Sequence, residues 1–133
     1  MKLYEFEGHK ILSRVGIVSP FFVVAKDLDD VRQGIKRLTF PVVAKVQVLS
    51  GKRGKGGGIK ICKNEKQLLD FCKEMIGKEF NGEEVEYVSL TELTEIKEEY
   101  YASITYDTVQ AIPFLLFSKK GGVDIEEVKK EHP

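Results

Sequence analysis

Five glycines and three cations fall within nine residues, Ser50–Gly58, in the stretch SGKRGKGGG. Glycines allow positive φ and close approach of the backbone to a ligand, so successive N–H groups can point at one anion. Lys52, Arg53 and Lys55 add formal charge to those dipoles. The chemistry such a stretch supports is capture of a phosphate-bearing ligand; the alternative is a solvated hairpin tip. A second candidate stands just upstream, in the apolar run Phe40–Leu49. Alternation there sends Val43, Lys45 and Gln47 to one side and Val42, Ala44 and Val46 to the other. A lysine in the middle of so apolar a strand either snorkels to solvent at an edge or faces a polar cleft. On a strand that feeds the glycine loop, the cleft is the better reading.

The loop departs from the standard phosphate patterns. No Gly-Lys is followed by Ser or Thr at Walker spacing, and GxGxxG is absent. Gly51-Lys52-Arg53-Gly54 matches the GxxG of KH domains, but that loop joins helices, whereas here Ile59–Cys62 reads as a strand. What remains is a flap: two strands and a loop whose amides lie over a phosphate chain. Such a site also needs acids to hold Mg²⁺. Glu92, Glu95, Glu98 and Glu99 read as a solvated face, and no pair of them is marked out by spacing. His9 and His132 fall in the opening helix and at the chain end, so neither is read as catalytic. Cys62 and Cys72, ten apart with no histidine nearby, suit neither a metal site nor a disulfide framework and read as reduced core thiols.

The elements that would carry these residues alternate between helix and strand. Leu3–Val15 has helical spacing with Gly16 as its stop, and Phe21–Ala25 reads as a short buried strand after an extended linker. Over Asp27–Leu38, Leu28, Val31, Ile35 and Leu38 form one apolar stripe, with acids early and bases late. Asn64 and Gln67 make a capping box before Leu68, Leu69, Phe71, Cys72, Met75 and Ile76, and Gly77 is placed to end that helix. Val85–Leu90 alternates like a strand, with Thr91–Glu95 interrupting it. Glu99–Tyr106 and Val109–Ser118 read as an antiparallel hairpin turning at Asp107-Thr108, with Pro113 marking an edge or bulge. Asp124–Glu131 could start a further helix. The expected class is α/β (α+β), with a mixed or antiparallel sheet and flanking helices.

The chain has 133 residues and zero formal net charge, which argues against a generic nucleic-acid binder. The neutrality hides an asymmetry: Val31–Asn64 carries nine Lys/Arg and no acid, while Glu83–Glu99 carries seven acids and one lysine. A basic belt on a neutral protein fits a small anionic ligand. No apolar run reaches membrane-span length and no signal-peptide layout opens the chain, so the cytoplasm is the expected location and no membrane partner is expected. The unpaired strands over Tyr101–Ser118 are expected to invite self-association.

Three stretches in register, MKLYEFEGHKILSRVGI, FPVVAKVQVLSGKRGKGGGIKI and GGVDIEEV, resemble the β subunit of succinyl-CoA synthetase. They are similar also to related ADP-forming acyl-CoA synthetases and to the large subunit of ATP-citrate lyase or citryl-CoA synthetase. The resemblance implies residues 1–133 as a partial ATP-grasp domain. Residues 19–103 would form the small lobe with the flap, and residues 1–18 and 104–133 the start of a larger lobe left incomplete. It places Lys45 and the flap residues Gly51, Lys52, Arg53 and Gly54 on ATP phosphates, with Lys52 where the family pattern has glycine. It places Thr94 and Glu99 in the nucleotide pocket, while the family's first glutamate of that stretch falls on Thr91, beside Glu92. Pro20 stands where ATP-preferring members carry proline. The implied parent reaction joins a carboxylate to CoA with cleavage of ATP to ADP and phosphate. It would use Mg²⁺ and an α-type partner bearing a phosphohistidine and the CoA site. The chain alone is expected to be inactive. A citrate-cleaving relative and a stand-alone nucleotide-binding or regulatory module are the rival readings.

Overall fold

The computed structural model describes residues 2–50, 53–54 and 56–119. The chain forms two compact units, Met1–Leu93 and Thr94–Pro133.

In the first unit, helix α1 (Glu5–Arg14) opens with the Tyr4 N–H donating to Glu7 Oε2 at 2.9 Å and closes at Gly16, whose φ of 81° only glycine adopts without strain. Strand β1 (Phe22–Ala25) is half-buried along most of its length. Asp27 caps helix α2 (Leu28–Ile35), its Oδ1 accepting from the N–H groups of Asp29 and Asp30. Strand β2 (Val42–Gln47) leads into the glycine loop, which returns as β3 (Ile59–Cys62). Helix α3 (Glu65–Met75) follows, capped by Asn64 Oδ1 accepting from the Gln67 N–H at 3.0 Å. The expected return bond is displaced by one residue: Gln67 Oε1 accepts from the Lys63 N–H.

Three differences from the sequence reading have local causes. A small hairpin, β4 (Glu79–Phe80) with β5 (Glu83–Glu84), turns on Asn81 and Gly82, both at positive φ. The next strand, β6, spans Tyr87–Glu92 rather than starting at Val85. The Val85 N–H and C=O are already engaged by Lys78 and Gly77, which tie it to the end of α3. Thr91 and Glu92 do not interrupt β6, because they pair with Val43 and Val42 across the ladder.

Four of these strands form one antiparallel sheet in the order β1-β6-β2-β3, with β4 and β5 paired apart from it. Val42, Ala44 and Val46 of β2 join Cys62, Leu68, Phe71, Cys72, Val88 and Leu90 in the core, on the side covered by α2 and α3. Both cysteines are free and buried. Burial pushes the Cys72 thiol up to about 12, with Cys62 beside it adding to the effect. Burial also raises the Cys62 thiol, against the opposing charge of Lys60.

The second unit contains the expected hairpin, β7 (Tyr101–Asp107) with β8 (Ile112–Ser118). Its turn is longer than the two residues expected. Asp107 Oδ1 accepts from the N–H groups of Val109 and Gln110, which pulls Val109 out of the strand and into the turn. Pro113 pairs opposite Tyr106 in a two-stranded ladder, where either strand is an edge. Residues 120–133, including the stretch read as a helix start, lie outside the described residues. Among the described residues no helix is long and apolar enough to cross a membrane.

Candidate functional site

The polar face of β2 is only partly open to solvent, because the start of α1 meets Lys45 and Gln47. Phe6 is buried and its ring stacks on Tyr4 at 5.6 Å and meets Tyr87 of β6 edge-on at 5.7 Å. Gln47, fully buried, accepts from the Phe6 N–H at 3.3 Å and donates to the carbonyls of Lys45 and Val46. A buried amide satisfied at both ends, with an aromatic trio beside it, fixes where α1 begins. Its first residue, Glu5, is thereby held over Lys45.

One carboxylate gathers two of the cations singled out from the sequence, Lys45 and Arg53. Lys45 Nζ lies 2.9 Å from Glu5 Oε1, and Arg53 Nη1 lies 2.8 Å from Glu5 Oε2. His9, one turn along α1, places Nε2 3.5 Å from the same Oε1. All three partners of the two ion pairs are about a quarter exposed, so solvent screens them only in part. Burial drives the Glu5 carboxyl upward, but the hydrogen bond and charge of Lys45, then the charge and hydrogen bond of Arg53, outweigh it and hold the group at about 2. Glu5 is a residue the sequence reading did not single out.

The loop is anchored at both sides of Arg53. Its carbonyl accepts from the Gly58 N–H at 2.8 Å, Gly58 in turn accepts from the Val46 N–H at 2.8 Å, and its guanidinium reaches Glu5. A Cβ on Gly58 would fall 2.6 Å from Val46 Cγ2 and 2.8 Å from Phe80 Cζ, so any larger residue there must push those side chains aside. Gly57 uses the positive φ expected of the loop, at 79°; Gly54 does not. Gly51, Lys52 and Lys55 lie outside the described residues.

Next to the charge cluster is a cleft of about 480 Å³ lined by His9, Lys10, Ser13, Ile17, Pro20 and Phe22, among others. His9 belongs to both, its ring 5.5 Å from that of Phe22 and its Nε2 on Glu5. Thr91 and Glu92, at the end of β6, tie that strand to the segments that enter its two neighbours, β1 and β2. Thr91 Oγ1 donates to the Phe21 carbonyl at 2.9 Å, and Glu92 Oε1 accepts from the Thr39 N–H at 2.7 Å. Thr94 and Glu99 lie between β6 and β7, in the second unit. Among the described residues no group of three or more His, Cys, Asp or Glu is placed to hold a metal ion.

Comparison with known proteins gives this arrangement a context. The chain is 41% identical over its whole length to the β subunit of ADP-forming succinate–CoA ligase of Methanocaldococcus jannaschii, of which it covers 36%. It thus spans about a third of the length of the curated relatives it matches. The fold is shared with dinucleotide-forming acetyl-coenzyme A synthetase 1 of Ca. Korarchaeum cryptofilum, at a TM-score of 0.78 and 22% identity. That match covers 96% of this chain and 57% of the other. It is shared also with ATP citrate lyase of Methanothrix soehngenii, at a TM-score of 0.69 and 22% identity over 92% of this chain and 33% of the other. The model of the ATP-grasp domain matches residues 2–133, and the chain belongs to the ATP-grasp family.

Proposed function

We propose that this chain is the nucleotide-binding portion of an ADP-forming acid–CoA ligase. The observation that carries the reading is the convergence of Lys45 and Arg53 on a single anion. A strand lysine and a flap arginine that share one carboxylate are spaced to share one phosphate chain. The nucleotide is ATP. Lys45 neutralises phosphate charge, and Gly51, Lys52, Arg53 and Gly54 close over it. Thr94 and Glu99 line the pocket. Residues 19–103 act as the small lobe, with residues 1–18 and 104–133 belonging to the larger one.

In the complete enzyme a carboxylate, CoA and ATP give acyl-CoA, ADP and phosphate by way of a phosphohistidine on an α-type partner, which also holds CoA. Mg²⁺ accompanies the nucleotide, and the work takes place in the cytoplasm within central carboxylate metabolism, the tricarboxylic acid cycle. The 41% identity to a succinate–CoA ligase subunit favours this reading over a citrate-cleaving one. Alone, the chain binds ATP weakly and does not complete the transfer.

Calorimetric titration with ATP tests the reading. In the complete enzyme Lys45→Met is expected to weaken ATP binding more than Lys55→Met does; equal effects would reduce Lys45 to a strand lysine paired for structure. The exposed Ile104, Leu115 and Phe117 of the β7–β8 hairpin further lead us to expect self-association of the isolated chain. Light scattering that gives a monomer at high concentration would refute it.

A further inference from the structure

We propose that Glu5 is a resident competitor for phosphate: its carboxylate occupies the Lys45–Arg53 cation pair in the free protein, and a phosphate chain binds by displacing it. The proposal rests on the nucleotide reading above and adds a residue that selects among phosphate ligands. Both oxygens of Glu5 are committed, Oε1 to Lys45 and Oε2 to Arg53, each at charge-assisted hydrogen-bond distance. Among the described residues no other carboxylate pairs with either cation. The two cations are eight residues apart in a belt without a single acid from Val31 to Asn64. Their counter-charge comes instead from a helix 40 residues upstream.

The arrangement sets a threshold. A ligand must offer at least two anionic oxygens spaced to reach both cations, and more charge than the one carboxylate it replaces. Pyrophosphate and the phosphate chain of a nucleoside triphosphate meet both conditions. Orthophosphate meets them by the narrowest margin, since its oxygens span little more than those of a carboxylate and its charge is below that of pyrophosphate, so it gains least on a carboxylate that is already tethered in place. The displaced Glu5 stays on α1, beside His9, whose Nε2 already lies 3.5 Å from it.

The test titrates the 133-residue chain with inorganic pyrophosphate and with orthophosphate, which isolates the phosphate contacts from those of a nucleoside. Glu5→Gln keeps the shape and removes the charge. It is expected to bind pyrophosphate about tenfold more tightly than the native chain, since one charge-assisted hydrogen bond is worth about that factor. It is also expected to discriminate less between pyrophosphate and orthophosphate. Glu5→Gln binding that is unchanged or weaker would overturn the proposal and make Glu5 a positioning residue. The Lys45→Met change in the Glu5→Gln background separates the two ideas. Loss of binding there keeps Lys45 as a phosphate ligand whatever Glu5 does, and binding indifferent to it overturns the nucleotide reading itself.

Thermal melting gives a second readout that survives a loss of stability. Glu5→Gln leaves two cations unpaired, so its melting point should fall. Added pyrophosphate should raise it by more degrees than it raises that of the native chain. Equal shifts in the two proteins would count against displacement.

Discussion

The two faces of β2 are both covered, but by different chemistry. Val42, Ala44 and Val46 meet Leu68, Phe71 and Leu90 in a dry core under α2 and α3. On the opposite face, Gln47 and Lys45 meet the start of α1 through a buried amide and an ion pair. The apolar face stabilises in proportion to the area it removes from water and has no second arrangement available. Contacts on the polar face are exchangeable, because a carboxylate can be replaced by another anion with the cations left in place. One strand can therefore serve as foundation on one side and as receptor on the other.

Substitutions should separate the faces. Leu68→Ala, wholly buried on the core side, is expected to cost about 3 kcal/mol in denaturant unfolding. It should leave the preference for pyrophosphate over orthophosphate intact in the molecules that stay folded. On the polar side the corresponding term depends on pH. The Glu5 carboxyl titrates at about 2 in the folded chain against 4.5 as its ordinary value, so the folded state binds its proton less readily than the unfolded state does. The resulting stability is fully present above 4.5, is lost as pH falls from 4.5 towards 2, and amounts to at most about 3 kcal/mol. Unfolding free energies measured across that range should show the loss in the native chain and a smaller one in Glu5→Gln. Identical slopes would mean that Glu5 shares no charge with its neighbours.

A smaller effect is expected where the two faces meet. Gly58→Ala must push both Val46 and Phe80 aside and should cost about 1–3 kcal/mol in the same denaturation assay. Because Gly58 also holds the Arg53 carbonyl, that variant should weaken pyrophosphate binding as well, which Leu68→Ala should not do. Asn64→Ala is expected to cost about 1 kcal/mol through loss of the α3 cap, with no change in binding. Weaker anion binding in Asn64→Ala would blur the distinction between the faces.

Much of this was legible in the sequence, and for identifiable reasons. The period of two in β2 separates Val42, Ala44 and Val46 from Val43, Lys45 and Gln47, and a strand leaves no other way to divide them. Asn64 and Gln67 announce α3 because capping is a local hydrogen bond between residues three apart. The β4–β5 hairpin escaped notice although Asn81-Gly82 is a strong turn signal, because its strands are two residues long and show no alternation. Glu5 was hidden for a different reason. An acid in the first turn of a helix is explained by the helix dipole alone, so its type and position raise no question. Its partners are 40 and 48 residues away, beyond any spacing pattern. The one available signal was the acid-free belt from Val31 to Asn64, which needs a counter-charge from elsewhere in the chain.

Cys62 and Cys72 give the core face a use of another kind. Both thiols are fully buried between β3 and α3, and Cys72 titrates near 12, so neither offers thiolate to an alkylating reagent while the layers stay closed. Modification then has to wait for α3 to lift from the sheet. The rate of thiol labelling becomes a clock for that opening, already built into the chain, that runs without any introduced probe.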